Sequence, residues 1–149
     1  MTEILFYHLQ NQPLERVLPS LLEKCIERGW RVVVETGSPE RRDALDAELW
    51  TYKEDSFLPH GTRRDGDPEE QPIFLTDGPD NPNGATVRFL VDRARPADVA
   101  AYARVVLVFD GNDPDALGDA RAHWKALKDA GHALTYWQQD DRGRWIKKA

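Results

Sequence analysis

The chain has 149 residues, of which 40% are hydrophobic and 31% charged, a composition typical of a soluble globular protein whose core needs no disulfides or metal ions. Its net charge of −6 argues against general binding to nucleic acids, because such binding usually depends on a net basic surface. The sequence contains neither a membrane-length apolar run nor a signal peptide, and its one cysteine, Cys25, suits a reducing cytoplasm. We therefore expect one cytoplasmic domain over residues 1–149.

The first third of the chain alternates between short apolar strands and helices. Patterns of hydrophobic residues predict a strand at Thr2–His8, a helix at Leu14–Arg28, a strand at Arg31–Glu35, and a helix capped by Ser38 that runs to Trp50. Alternation of this kind predicts parallel strands joined by right-handed crossovers. The expected fold is therefore α/β, with a mostly parallel central sheet flanked by helices.

The middle of the chain is less regular. Ser56–Gly61 is apolar but contains a proline, which favours an extended loop over a strand. Thr62–Gln71 is polar and contains glycine and proline, which is typical of a mobile surface loop. Beyond it, we predict strands at Pro72–Thr76 and Ala85–Val91 and a short helix at Pro96–Arg104.

The last third of the chain predicts a strand–helix–strand unit. Val105–Phe109 is a short run of apolar residues typical of a strand buried on both faces. Asn112 or Asp113 can cap a following helix that has proline in its first turn, and Ala133–Trp137 forms the next strand. Arg144–Lys147 then forms either an edge strand that pairs back as a hairpin or a loose tail.

Two rows of side chains run along this helix. The basic row consists of Arg121, Lys125 and Lys128, and two interpretations of it remain open. It is either the solvated flank of an amphipathic helix or a recognition site for an acidic, partly apolar peptide, with an arginine fork for a carboxylate beside an aromatic wall. The other row is an apolar stripe formed by Leu117, Ala120, Trp124, Leu127 and Gly131.

The sequence contains no pattern typical of a catalytic, metal or cofactor site. The turn after the first strand, residues 8–13, has no glycine and no phosphate-binding lysine, so the fold is expected to be Rossmann-like without a phosphate-binding loop. The four histidines lack metal-ligand spacing, and Cys25 falls on the core stripe of its helix. We therefore predict a non-enzyme. The alternative is a nucleotide-binding α/β enzyme, or a degenerate relative of one, that uses the carboxyl edge of the sheet.

A second group of apolar residues has no obvious structural role. Trp50 ends its helix, and Phe57 and Leu58 lie in the loop that follows. Large apolar side chains at such positions are either buried anchors or part of a surface for a partner protein.

These features together resemble the chi subunit of the bacterial DNA polymerase III holoenzyme. The similarity extends in order over nearly the whole chain, at suitable spacing. The segments that carry it are Phe6-Tyr7, Leu49-Trp50, Ser56-Phe57-Leu58-Pro59-His60-Gly61, Gln71-Pro72-Ile73, Val108-Phe109-Asp110-Gly111, Ala120-Arg121-Ala122-His123-Trp124-Lys125, Tyr136-Trp137-Gln138 and the ending Trp145 with Lys147-Lys148.

The resemblance implies a non-catalytic accessory subunit of the clamp-loader assembly that contacts DNA only indirectly. It implies two partners: the psi subunit, and the acidic C-terminal tail of single-stranded DNA-binding protein, which ends in aspartates, a proline and a terminal phenylalanine. The implied tail site consists of Arg121, Trp124, Lys125, Lys128 and Leu117. The implied psi site consists of Trp50, Phe57, Leu58, Pro59 and His60.

The sequence departs from this family at one position of the implied tail site. Some relatives carry a lysine one turn before the arginine, where this chain has Leu117. We expect Lys125, Lys128 or the terminal pair Lys147-Lys148 to supply the missing positive charge.

Overall fold

The structure is a computed structural model that describes residues 2–10, 12–50 and 59–149. Over these residues, the fold is built on one eight-stranded sheet. The strands are β1 (Glu3–Leu9), β2 (Val32–Glu35), β3 (His60–Gly61), β4 (Ile73–Thr76), β5 (Val87–Leu90), β6 (Arg104–Asp110), β7 (Ala133–Gln139) and β8 (Trp145–Lys147). They lie in the order β3-β4-β2-β5-β6-β1-β7-β8, and among the described strands only the β7–β8 pair is antiparallel. The predicted α/β fold with a mostly parallel sheet is confirmed.

Within the described residues, three helices cover the two faces of the sheet: α1 (Leu14–Glu27), α2 (Pro39–Trp50) and α3 (Pro114–Asp129). Successive side chains of a strand point to opposite faces, so Leu5 packs in the cluster that contains the buried residues of α1 and α2, whereas Phe6 packs in the cluster that contains those of α3. Helices α1 and α2 therefore lie on one face, and α3 lies on the other. Along the described ranges, we find no helix with the length and apolar character needed to cross a membrane.

The middle of the chain contains more regular structure than its sequence suggests. His60–Gly61, expected to be loop, pairs with β4 as a two-residue edge strand. The segment Thr62–Gln71 forms two short 3-10 turns, the first of which has a reciprocal cap between Thr62 and Asp65. Conversely, only Val99–Ala101 of the helix predicted at Pro96–Arg104 is helical, and it forms a single 3-10 turn.

A buried arginine joins the central strands. Arg88 of β5 has 3% of its surface exposed and donates to the Glu35 carboxylate of β2 at 2.5 Å. It also donates to the Tyr102 hydroxyl at 3.0 Å and to the carbonyl oxygens of Gly78 and Asp80 at 2.5 and 3.1 Å. The guanidinium thus connects two strands to the loop that follows β4.

Candidate peptide-binding site

Helix α3 begins at a well-formed cap. The Asp113 carboxylate accepts hydrogen bonds from the backbone N–H groups of Asp115 at 3.0 Å and Ala116 at 3.4 Å, and Pro114 occupies the first helical position. Asp113, rather than Asn112, is therefore the cap. It fixes the start of a 16-residue helix that runs back across β6 and β7.

Three predicted members of the apolar stripe, Ala120, Trp124 and Leu127, pack against the sheet, whereas Gly131 follows the helix and is exposed. Ala120 and Leu127 are buried, while Leu117 and Trp124 are half-buried. The Trp124 ring meets Phe6 of β1 edge-on, with 5.3 Å between ring centroids. This packing holds the indole between the helix and the sheet.

Three further rings lie near Trp124, which contacts the ring of Tyr136. His8 of β1, Phe109 of β6 and Tyr136 of β7 are half-buried and come from three adjacent strands. Ring centroids are 5.8 Å apart for Trp124 and Tyr136, 5.1 Å for His8 and Phe109, and 6.1 Å for Phe109 and Tyr136. We refer to His8, Phe109, Trp124 and Tyr136 as the aromatic cluster.

Arg121 lies at the rim of the aromatic cluster, one turn before Trp124 and exposed to solvent. Its positive charge acts on two members of the cluster. Burial raises the pKa of Tyr136, and Arg121 opposes this change. Burial lowers the pKa of His8, and Arg121 lowers it further. Arg121 makes no ion pair or hydrogen bond with any residue that the structure describes. Its guanidinium is therefore available to a carboxylate from outside the chain.

The other predicted members of this site are less closely connected to the aromatic cluster. Lys125 and Lys128 are exposed on the same side of α3 as Arg121, and Leu117 is half-buried one turn before it. On the neighbouring edge strand, Ile146 is 43% exposed and lies opposite Gln138, so it shares a sheet face with Tyr136. The arrangement combines cations, aromatic rings and an exposed aliphatic side chain on one surface.

Trp50 occupies a separate surface at the other end of the sheet. Its side chain is 51% exposed, and its ring lies 4.5 Å from the ring of His60 in β3. His60 is itself buried, with Nε2 3.3 Å from Asp46 Oδ1, and burial raises the pKa of Asp46. Pro59 is half-buried beside them. We call this region the Trp50 surface. Phe57 and Leu58 lie outside the described residues.

A third feature is a cavity at the carboxyl edge of the sheet. Strands β1 and β6 are neighbours, yet the helices that follow them lie on opposite faces, and α/β proteins often bind ligands where the connections diverge in this way. The cavity measures about 600 Å³. Four carboxylates line it, from Glu15, Asp92, Asp110 and Asp113.

Two observations on the described residues concern metal binding and thiol reactivity. In the ranges that the structure describes, no three histidine, cysteine or acidic side chains are grouped as metal ligands would be. Cys25 of α1 is buried in the core, and burial raises the pKa of its thiol, which disfavours the reactive thiolate.

Comparison with known proteins decides the family. The family model for the DNA polymerase III chi subunit, HolC, matches residues 1–135. The chain belongs to this family. Chi subunits are accessory proteins of DNA replication, and the resemblance expected from the sequence is confirmed.

One curated relative agrees with this assignment. The probable DNA polymerase III subunit chi of Rickettsia prowazekii (strain Madrid E) is 33% identical over 105 residues, which is 70% of this chain. The aligned part of the chain spans 62% of that relative's own length.

Three members of the aromatic cluster were not predicted as site residues. His8, Phe109 and Tyr136 lie on different strands that the fold brings together, so spacing along the chain gives no direct signal for the group. One clue was available in the first strand, where Ile4, Phe6 and His8 occupy alternate positions and must share a face. A histidine that continues an otherwise apolar row is a candidate for a role beyond packing.

Proposed function

We propose that this chi-family chain is a non-catalytic, cytoplasmic accessory subunit of the clamp-loader assembly that connects the replicase to coated single-stranded DNA. In this proposal, α3 and the aromatic cluster bind the acidic C-terminal tail of single-stranded DNA-binding protein, and the Trp50 surface binds the psi subunit. The observation that carries the proposal is Arg121, which has no partner among the described residues, lies one turn before Trp124 and acts electrostatically on His8 and Tyr136.

The chemistry of the tail matches this surface in two respects. A guanidinium forms two parallel hydrogen bonds with a carboxylate, so Arg121 suits the carboxylate at the end of the tail. Aromatic rings suit the terminal phenylalanine, because ring pairs add specific edge and face contacts to simple burial. Trp124 is placed to form one wall of the pocket, since its ring lies next to Tyr136.

Lys125 and Lys128 contribute less specifically. Both are exposed, so they attract the tail's aspartates through a solvent-screened field rather than through fixed contacts. They also supply positive charge on the helix that carries Leu117 where some relatives have lysine. Raising the salt concentration therefore weakens this part of the attraction.

The direct test compares a tail peptide with a nucleotide as ligands in thermal unfolding. A ligand that binds only the folded chain, at 100 times its dissociation constant, adds about 2.7 kcal/mol of stability. We expect the tail peptide to raise the melting temperature, as this gain in stability requires. A peptide that lacks the terminal phenylalanine should raise the melting temperature much less. Stabilisation by ATP or NAD but not by the tail peptide would contradict the proposal.

The nucleotide alternative has one observation in its favour, the cavity between the loops after β1 and β6. Its lining opposes this use. Four carboxylates face two arginines there, and Arg41 is already paired with Glu15 at 3.0 Å and with Asp92 at 3.2 Å. Phosphate groups would meet net negative charge, so we favour the peptide-binding function.

A substitution at Trp50 tests the second surface. Trp50→Ala is expected to weaken binding of the psi subunit by about 2 kcal/mol or more, because large aromatic side chains contribute most binding energy once a partner desolvates them. The free energy of unfolding should change little, since half of the indole is already exposed. Affinity is measured by calorimetric titration with the psi subunit, and stability by urea unfolding.

Ile146→Ala is the matched control for Trp50→Ala, because Ile146 is the other large apolar side chain that is exposed among the described residues. It lies at the opposite end of the sheet, so it should leave psi binding unchanged. Unfolding or aggregation of Trp50→Ala would mean that Trp50 belongs to the core.

A further inference from the structure

The aromatic cluster contains one titratable pair that packing alone does not explain. His8 Nδ1 lies 2.7 Å from the Tyr136 hydroxyl oxygen, a hydrogen bond between side chains of two paired strands. Both side chains are half-buried, and both lie within the electrostatic influence of Arg121.

The position of the His8 ring depends on the glycine that follows β6. A Cβ built on Gly111 would overlap His8 Nε2, so only glycine allows the imidazole to occupy this place. Phe109 packs beside the ring, with 5.1 Å between centroids. The imidazole is therefore held with Nδ1 directed at the tyrosine and Nε2 directed at the Gly111 backbone.

The hydrogen bond between His8 and Tyr136 has two forms. When Nδ1 is unprotonated, the Tyr136 hydroxyl donates its hydrogen to the imidazole. When Nδ1 carries a hydrogen, as it does in one neutral tautomer and always does in protonated His8, it donates to the hydroxyl oxygen, and the hydroxyl hydrogen can be donated elsewhere. Protonation of His8 removes the first form, so it favours Tyr136 as a hydrogen-bond donor for a ligand.

We propose that His8 and the Tyr136 hydroxyl form a second anchor for the carboxylate that Arg121 holds, and that protonation of His8 favours donation from this anchor to the carboxylate. The inference rests on the proposed peptide-binding function of α3. His8 acts as a positioning residue, and Tyr136 makes the contact with the ligand. Tail binding is consequently coupled to uptake of a proton.

The charges around His8 determine the direction of this coupling. The charged or titratable groups that face it among the described residues are Asp110 of β6, Arg121 of α3 and Tyr136 of β7. Burial lowers the pKa of His8 from its ordinary value of 6.5, Asp110 opposes that change, and Arg121 lowers the pKa further. A bound carboxylate neutralises Arg121 and accepts from Tyr136, so the pKa of His8 rises in the complex.

The expected result follows from linkage. The peptide favours protonated His8. Affinity for the peptide therefore rises as the pH falls through the pKa of His8 in the complex, and it levels off below the pKa of His8 in the chain without peptide. Each unit by which binding raises the pKa gives at most a tenfold gain in affinity. Between pH 8 and pH 6 we expect the tail peptide to bind about threefold to tenfold more tightly, while its own carboxylates stay ionised.

The experiment is calorimetric titration of the tail peptide at pH 8 and pH 6, in buffers with different ionisation enthalpies so that proton uptake is measured directly. In His8→Asn, whose amide can occupy the place of Nδ1 but does not titrate, the affinity gain and the proton uptake should both disappear. Tyr136→Phe should reduce affinity at pH 6 more than at pH 8. His123→Asn is the matched control, because His123 is another half-buried histidine with a lowered pKa, on α3, and its substitution should preserve the gain.

Each outcome has a distinct meaning. Equal wild-type affinity at both pH values, or a gain that survives in His8→Asn, overturns the proposed anchor while leaving the peptide-binding function intact. Absence of wild-type binding at either pH overturns the peptide-binding function itself. If His8→Asn fails to fold, NMR titration of the His8 imidazole in the wild-type chain, with and without peptide, decides the question, because an unchanged pKa contradicts the inference.

Discussion

Arg121→Ala is expected to reduce the affinity for the tail of single-stranded DNA-binding protein by about 2–5 kcal/mol, the usual cost of removing one partner of a partly desolvated charge pair. Arg121→Lys should lose less affinity for the tail than Arg121→Ala does, but it should still bind the tail more weakly than the wild type. An ammonium keeps the charge but cannot form the two parallel hydrogen bonds of a guanidinium. Calorimetric titration of a tail peptide, at low and high salt, measures both effects.

Lys128→Ala is the matched control for this prediction. It removes an exposed cation from the same helix, and an exposed charge of this kind contributes at most about 1 kcal/mol. The melting temperature should stay near the wild-type value in all three variants, since neither side chain has a partner among the described residues. Equal affinities for wild type, Arg121→Ala and Arg121→Lys would exclude Arg121 from the site.

Arg88→Ala is expected to destabilise the chain by about 3–5 kcal/mol, because breaking a buried ion pair leaves the other charge without compensation. The carboxylate left behind belongs to Glu35, whose side chain is only 18% exposed. The carbonyl oxygens of Gly78 and Asp80 and the Tyr102 hydroxyl also lose a donor. Urea unfolding at constant pH gives the change in free energy.

An exposed ion pair nearby serves as the control for Arg88. Arg63 pairs with Asp80 at 2.8 Å, but its side chain is 63% exposed, so Arg63→Ala should cost less than about 1 kcal/mol. Glu35→Gln should reduce the free energy of unfolding less than Arg88→Ala does, because the amide oxygen can still accept a hydrogen bond from the guanidinium. A similar loss of stability in Arg63→Ala and Arg88→Ala would mean that burial does not increase the contribution of the Arg88 ion pair to the free energy of unfolding.

Local patterns along the sequence predicted most of the regular elements. The apolar run that became β6, and the Asp-Pro start and apolar stripe of α3, follow from hydrophobic spacing and helix capping, which act within a few residues. The first 3-10 turn of Thr62–Gln71 was missed although it has a local signal, the spacing of Thr62 and Asp65 in a reciprocal cap, because the polar composition of the segment favoured a loop. The two-residue strand His60–Gly61 depends on a neighbour, β4, and not on its own composition.

The candidate site was predictable to the extent that it lies on a single helix. Arg121 and Trp124 share α3, so helical spacing was enough to place a cation beside an aromatic ring. The contact between His8 and Tyr136 joins residues 128 positions apart in the chain, and the strand order β6-β1-β7 creates it. Composition and periodicity do not determine strand order, so this half of the site required the structure.

The strand order also determines how the two proposed binding surfaces act on each other. Trp50 packs on β3 at one edge, whereas the aromatic cluster is built on β6, β1 and β7, and β1 is five strand steps from β3, about 24 Å away. Two partners bound at this separation need not touch, and each would be held at a high effective concentration relative to the other. The chain then acts as a rigid spacer between two tethers, in which either partner can exchange while the other stays attached.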